Sequence, residues 1–465
     1  MKNNAVVNYL HDVLRDTKGE RYVKIMYYFI PEFITALVLY SLPFWLESFF
    51  ISQESTPAYA TLGTINTLLH LLLKVAEAFS VGTVIVAGHY NGMHSYKDVG
   101  RTLRDSFWMT CLVGGVVALV LIAGAPWIYQ WYGVSPEMVR LGVPFLRLCA
   151  LGIFFTFIYF AFIGFLRGIK NTRTPMQFFV FGAVIFIFFD YSLIFGKFGF
   201  PKLGLQGAAW ASVIQYGSMC VLAFFYVLIN KKYHKYGIEL LSVFKDKSYI
   251  YDLIQLSWPV ILDKASLAMA YIWLCKMINP MGINVTASFC IIKDLERFAF
   301  LPAIALAQII TFLVSNDYGV ERWESIEANL KKILFLASLF VFSILLTISL
   351  WSEYIVTFFD KKGEFGSLAA YSFPILSVLA FFDLLQLILS GGLRGAGNVK
   401  TVMMVRLIVC FCYFFPVSYA ISSLPIANDT VKFIVLYSSF YIGNALMSVF
   451  YIYRFHGNAW KTKSL

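Results

Sequence analysis

Twelve apolar runs, each long enough to cross a bilayer and joined by short polar connections, make up most of this 465-residue chain. They fall at roughly 24–52, 59–88, 105–131, 139–166, 175–197, 205–230, 252–279, 284–315, 328–358, 368–393, 401–422 and 431–454. About 20 such residues cross the roughly 30 Å hydrocarbon core as a helix. Lipid offers no hydrogen bonds to the backbone, so each run has to satisfy its own N–H and C=O groups. Only 14% of residues are charged, against about 25% in a soluble protein. The expectation is an all-α polytopic membrane protein.

The one long polar interval, KKYHKYGIELLSVFKDKSYI at 231–250, separates two sets of six spans, 24–230 and 251–455. Residues 1–23 carry Lys2, Asp12, Arg15, Asp16, Lys18 and Glu20 and lack a signal-peptide core. An amphipathic segment lying on the membrane through Val6, Val7, Leu10, Val13 and Leu14 is expected there, and residues 456–465 form a tail. Positive connections stay cytoplasmic. Lys97, Arg101, Arg104, Arg167, Lys170, Arg173, Arg322, Lys331, Lys332, Arg394 and Lys400 all fall on the side of both termini, while 53–58 and 280–286 hold no Lys or Arg. Both termini are therefore expected in the cytoplasm, with the protein in the plasma (inner) membrane. The net charge of +11 follows largely from this bias, so it points to anionic lipid and not to nucleic acid.

The chain also repeats itself. FLRGIKNTRTP at 165–175 returns 227 residues later as GLRGAGNVKTV at 392–402, with Leu166, Arg167, Gly168, Asn171 and Thr174 matched by Leu393, Arg394, Gly395, Asn398 and Thr401. At the same offset His89-Tyr90-Asn91-Gly92 meets Asn316-Asp317-Tyr318-Gly319, and Pro31 and Pro259 lie 228 apart. Two copies of a six-span unit with equal orientation imply a parallel repeat, an architecture typical of transporters. The loop arginines and lysines read as orientation signals and loop-packing residues. The small residues of GAAWAS and LSGGLRGAG read as close helix contacts, and the many aromatics as helix packing and interfacial belts.

The Leu-Arg-Gly loops after spans four and ten resemble those of the multidrug and toxic compound extrusion (MATE) transporters. Gly204-Leu205-Gln206-Gly207-Ala208-Ala209 resembles that family's signature entering span six, and Asp383-Leu384-Leu385-Gln386 followed by Gly391, Leu393, Arg394 and Gly395 resembles its signature in span ten. The resemblance runs from about Pro31 to Trp460. It implies two pseudo-symmetric six-helix bundles around a central cleft, exchanging outward- and inward-open states.

Ionisable side chains inside a bilayer are costly, at least about 2.5 kcal/mol each at mid-depth, and each is a functional candidate. Here they are Glu32, Glu47, His70, Lys74, Glu77, Arg147 and Asp190 in the first half, then Asp263, Lys264, Lys276, Lys293, Asp294, Glu296, Arg297 and Asp383. By resemblance, Glu47 in span one and Asp190 in span five stand where the family has a pair of aspartates forming its cation cluster. Ser212 stands where threonine is common, and Tyr159 is a further candidate oxygen. Such a pair can load and release H⁺, or bind Na⁺ if more oxygens converge. Phe186 occupies a position where the family often has asparagine, and a hard cation wants several oxygen ligands, so H⁺ is favoured over Na⁺. The competing reading for Glu47 and Asp190 is a structural hydrogen bond or a pairing with Lys74 or Arg147. Asp383 matches an acid that some members use for coupling; its alternative is an ion pair with Lys264 or Lys276.

Candidate substrate-cavity residues are Lys74, Glu77, Asp263, Lys264, Lys293, Asp294, Glu296 and Arg297. Lys293 lies beside Glu296 and Arg297 on a helix, so the cluster either neutralises itself or makes the cavity basic. A basic cavity would suit an anionic or zwitterionic substrate. The seven cysteines imply no disulfide framework, the six histidines show no metal-ligand spacing apart from the loop pair His89 and His94, and no hydrolase motif or nucleotide-binding loop occurs. The expected function is a MATE-type secondary active antiporter, not an enzyme. It would export small organic molecules in exchange for H⁺ or Na⁺ and need no other cofactor. The alternative is a flippase or exporter of an anionic or lipid-linked substrate. Expected partners are the substrate, the coupling cation and membrane lipids, around a monomer.

Overall fold

The computed structural model describes residues 18–40, 42–131, 136–240, 242, 248–359, 366–426, 428–457 and 460–461. The amphipathic segment expected before residue 18, most of 241–247 and the end of the tail lie outside the described residues. Among the described residues there are helices and turns and no strands.

Twelve long helical rods follow one another among the described residues, as the apolar runs require. They are α1 (Tyr22–Tyr40 continued by Leu42–Glu54), α2 (Thr56–Gly92), α3 (Tyr96–Trp131), α4 (Pro136–Gly168), α5 (Arg173–Phe195) and α6 (Leu205–Ile229), then α7 (Ile250–Ile278), α8 (Ile283–Ala299 continued by Leu301–Gly319), α9 (Trp323–Leu350), α10 (Gly366–Gly395), α11 (Val399–Ser423) and α12 (Asp429–His456). Eleven are long and apolar enough to cross a membrane. The remaining one, α7, has the length at 29 residues but carries Asp252, Asp263, Lys264 and Lys276. α8 breaks at Phe300, because Pro302 in the next turn lacks the N–H that would continue the ladder. On α3 the exposed residues Leu112, Val116, Leu119, Val120 and Trp127 form an apolar outer stripe, the inverse of a soluble helix bundle.

The chain forms two compact units. One is Ile30–Ile261; the other is Leu262–Leu465 together with the described residues up to Phe29. In the first, α4 packs against α2, α3 and α6; in the second, α10 packs against α8, α9 and α12. The described part of the interval after α6 is a packed element of the first unit and no free tether. The Asn171 amide donates to the Tyr233 hydroxyl at 2.8 Å, the Trp108 indole N–H donates to the Leu240 carbonyl at 2.8 Å, and Asp105 accepts the Tyr249 N–H at 2.7 Å. Burial pushes the Tyr233 phenol up to about 12. In the second unit, Asn329 on α9 accepts the Glu20 N–H at 2.7 Å, and Lys332 donates to the carbonyls of Lys18 at 2.7 Å and Glu20 at 3.0 Å. Asp105 and Lys332 are related by the repeat offset, so each unit anchors the segment entering α7 or α1 from corresponding positions.

The repeat is conformational as well as textual. After α4, Lys170 N–H bonds Arg167 C=O at 2.9 Å and Asn171 N–H bonds Leu166 C=O at 2.9 Å; after α10, Gly397 bonds Arg394 at 2.8 Å and Asn398 bonds Leu393 at 2.9 Å. Both are the same left-handed helix-terminating turn, with φ +60° at Lys170 and +80° at Gly397. The other matched pair of loops places His94 and Glu321 at φ +59° and +57°.

Corresponding glycines bring helices into contact. A Cβ on Gly168 would lie 2.9 Å from the Ala87 Cβ on α2, and one on Gly395 would lie 2.4 Å from the Thr311 carbonyl oxygen on α8. Gly164 and Gly391, one turn earlier, meet α2 and α8 in the same way. Such small-residue stripes let membrane helices approach closely enough for dispersion to hold them.

The duplicated arginines do more than set orientation. Arg167 makes two bonds to Glu32 on α1, Nε to Oε1 at 2.9 Å and Nη2 to Oε2 at 2.7 Å, with both residues buried. Arg394 reaches Asp263 on α7 at 2.6 Å, and Asp263 also accepts from Arg406 on α11. Losing one member of such a buried pair costs about 3–5 kcal/mol, because the remaining charge is stranded.

Two stability changes of opposite sign are expected. Gly395→Leu drives a side chain into the α8 backbone and should lower stability by about 3 kcal/mol, read as a fall in the thermal midpoint of purified protein. Lys170→Gly relieves a left-handed residue and should raise stability by about 1 kcal/mol, provided that turn is formed as described; no gain would count against it.

Candidate functional site

The apolar end of the first unit is built from Ile51, Leu62, Ile65, Phe145, Leu146, Ile194 and Leu205. Phe50 on α1 stacks edge-on against Tyr191 and Phe195 of α5, at 5.6 and 6.0 Å between ring centres. This contact joins the turn of α1 that carries Glu47, one turn before Phe50, to the turn of α5 that carries Asp190, next to Tyr191. Asp190 is fully buried, and neither of its carboxylate oxygens has a hydrogen-bond partner among the described residues. Glu47 is half-buried. Arg147, one of the cations considered as a partner, donates instead to the Ile122 carbonyl at 3.2 Å.

Tyr159 on α4 is fully buried against Phe179, ring centres 5.3 Å apart, and its hydroxyl also lacks a partner among the described residues. Ser212 on α6 faces α4, where a Cβ on Gly152 would lie 3.8 Å from its own Cβ. Two carboxyl groups, one bare phenol and one hydroxyl are thus distributed over α1, α4, α5 and α6. The Phe50 contact brings together the helix turns that carry Glu47 and Asp190, whereas among the described residues no hydrogen bond joins Tyr159 or Ser212 to either.

A second polar cluster of the same unit lies on α1 and α2. The Tyr40 hydroxyl donates to Glu77, which Lys74 also reaches at 3.1 Å, while the Lys74 ammonium sits 3.9 Å from the Tyr40 ring centre. Lys74 and Glu77 are therefore partners of each other. The buried Glu32–Arg167 pair acts electrostatically on Tyr40.

In the second unit the candidates separate. Asp263 is committed to Arg394 and Arg406. Arg406 was not among the sequence candidates, although a lone arginine in the apolar run TVMMVRLIVC was the available signal. Glu296 turns into the bundle and accepts from Tyr437 at 2.5 Å and from Tyr441, both on α12. Asp383 accepts from the Asn444 amide at 3.0 Å, so the suggested ion pair with Lys264 or Lys276 is not the bond it makes. Lys264 is half-buried beside Asp263 in sequence, Lys276 lies 5.4 Å from the Trp273 ring centre, and Lys293 lies 5.7 Å from that of Phe289. Asp294 and Arg297 are exposed, and among the described residues neither they nor Lys293 form an ion pair.

This arrangement has no paired nucleophile and base and no built oxyanion donor among the described residues. It has buried carboxyl groups and pseudo-symmetric helices, the parts a carrier needs. Known proteins agree. The chain is 22% identical over 418 residues to a probable multidrug resistance protein, YoeA, of Bacillus subtilis, covering 88% of this chain and 87% of that one. It is 24% identical over 375 residues to a probable multidrug resistance protein, NorM, of Thermotoga maritima, covering 80% of each. A crystal structure of a MATE protein in the straight conformation superposes with a TM-score of 0.84 at 18% identity, over 95% of this chain and 97% of that one, and so shares its twelve-helix fold. The MatE family profile matches residues 20–192 and 259–420. With that span covering most of both halves, the chain belongs to the MatE family of membrane transporters.

Proposed function

We propose that the protein is a secondary active transporter that exports small organic molecules in exchange for a cation by alternating access, in the plasma (inner) membrane with both termini cytoplasmic. The names of its relatives favour multidrug efflux. Asp190 is the observation that carries the reading. An ionised carboxylate without a partner is strongly unfavourable in an apolar bundle, and a bound cation removes that penalty. Glu47, the second acid within reach, supplies the like charge that makes binding and release responsive to occupancy. Ser212 and Tyr159 complete the proposed coupling site. Asp383, held by Asn444, is the proposed coupling acid of the second unit.

The cation is H⁺ in this reading. Sodium needs several converging oxygens, and Phe186, one turn before Asp190, is buried and offers none. A proton needs only the carboxyl group.

In everted vesicles carrying a proton gradient in sodium-free buffer, Glu47→Gln and Asp190→Asn are each expected to reduce gradient-driven movement of a fluorescent dye to the level of vesicles without the protein. Unchanged transport in both variants would remove the coupling assignment, and a strict requirement for sodium would replace the proton. Asp190→Leu is expected to be inactive yet more stable by about 1–3 kcal/mol, since it removes a buried polar group that has no partner. A lower thermal midpoint in that variant would mean that Asp190 has a structural role instead.

A further inference from the structure

The first segment of α8 buries Val285, Ser288, Phe289, Ile292, Glu296 and Ala299, a single helical face. Glu296 belongs to that buried face, where Tyr437 and Tyr441 hold it. Of the two carboxylates near Lys293 and Arg297 on the helix, Glu296 and Asp294, the first is therefore turned away from them. Lys293 is half-buried and Arg297 exposed, and neither forms an ion pair among the described residues. Asp294 is exposed about 100° around the helix from Lys293 and pairs with neither.

Counted from Ile283, Lys293 and Arg297 lie about 15 and 21 Å along the axis, in the second half of the segment Ile283–Ala299. Lys276, by contrast, is exposed two residues from the end of α7. A cation at mid-bilayer facing lipid is strongly disfavoured, and two cations at i and i+4 repel each other as well. Phe289 on the same helix lies 5.7 Å from the Lys293 ammonium and Asp294 stands one turn before Arg297, but among the described residues no ion pair relieves the repulsion. The face is stable only where it is wet, and it gains most from a ligand that carries the missing negative charge.

We propose that Lys293 and Arg297 form an anion-recognition face, so that the molecule carried bears an anionic oxygen group such as a carboxylate or phosphate. This rests on the transporter reading and names its substrate class. Arg297 offers a planar fork of donors matched to such groups, and Lys293 adds a point charge one turn away. The group can belong to a soluble organic anion or to a lipid headgroup, since the chemistry of recognition is shared.

Equilibrium binding to full-length protein tests this without any ion gradient. Carboxyfluorescein is the soluble anionic probe, fluorescently tailed phosphatidylglycerol in phosphatidylcholine nanodiscs the lipid probe, and ethidium the cationic control, all read by fluorescence anisotropy. We expect the parent to bind at least one anionic probe in preference to ethidium. Lys293→Gln and Arg297→Gln should each weaken that binding by about tenfold, the loss of one charge-assisted contact, and Arg297→Lys should restore part of it. Preference for carboxyfluorescein identifies a soluble substrate; preference for the lipid identifies a headgroup. The proposal is overturned if the parent favours ethidium, binds neither anion, or binds equally well in the glutamine variants while their thermal midpoints match the parent. Vesicle transport is scored separately, so loss of coupling in Glu47→Gln with anion binding intact distinguishes a failure here from a failure of the transporter reading.

Discussion

Buried arginine–carboxylate pairs are the interaction on which the helix arrangement depends. Glu32 and Asp263 sit in membrane helices, where an isolated carboxylate is prohibitively unfavourable, and Arg167, Arg394 and Arg406 make their burial tolerable. Two of these arginines, Arg167 and Arg394, come from the ends of α4 and α10, the helices that pack against the most neighbours in their units. Each half's first helix is thus fastened to its own central helix by a charge that cannot move without stranding its partner. Both pairs fall just past the points, Ile30 and Leu262, where α1 and α7 enter the compact unit of the half they open.

The two halves share a plan and differ in chemistry. Matching turns at Lys170 and Gly397 and matching glycine contacts at Gly168 and Gly395 preserve the backbone, because a helix terminus and a close helix approach tolerate few alternatives. Side chains that do not serve the backbone have diverged. The first unit places Glu47 and Asp190 in its apolar end, whereas the second ties Glu296 to tyrosines, and among the described residues Lys293 and Arg297 form no ion pair. Even the anchoring positions Asp105 and Lys332 have opposite charge; the one accepts a backbone N–H and the other donates to backbone carbonyls.

What the sequence determined by itself was the membrane class, the number of rods and the repeat. Apolar length dictates a helix because lipid leaves the backbone no other partner, and the offset of 227 is visible since turns constrain residue type directly. The electrostatic wiring was not legible. Lys293 could have neutralised Glu296 at i+3, but only the packing of α8 against α12 decides that the carboxylate points inward to Tyr437 and Tyr441. Arg406, three residues before the end of Val399–Val409, shows no motif, and its meaning comes from Asp263, 143 positions away in the chain. Asp263 and Lys74 read as equal candidates for a cavity, yet tertiary contacts commit one to two arginines and the other to Glu77. Pattern fixes which side chains are dissolved in the bilayer; only the tertiary structure decides which charges meet, because the energy of an ion depends on its few nearest neighbours and those come from other helices.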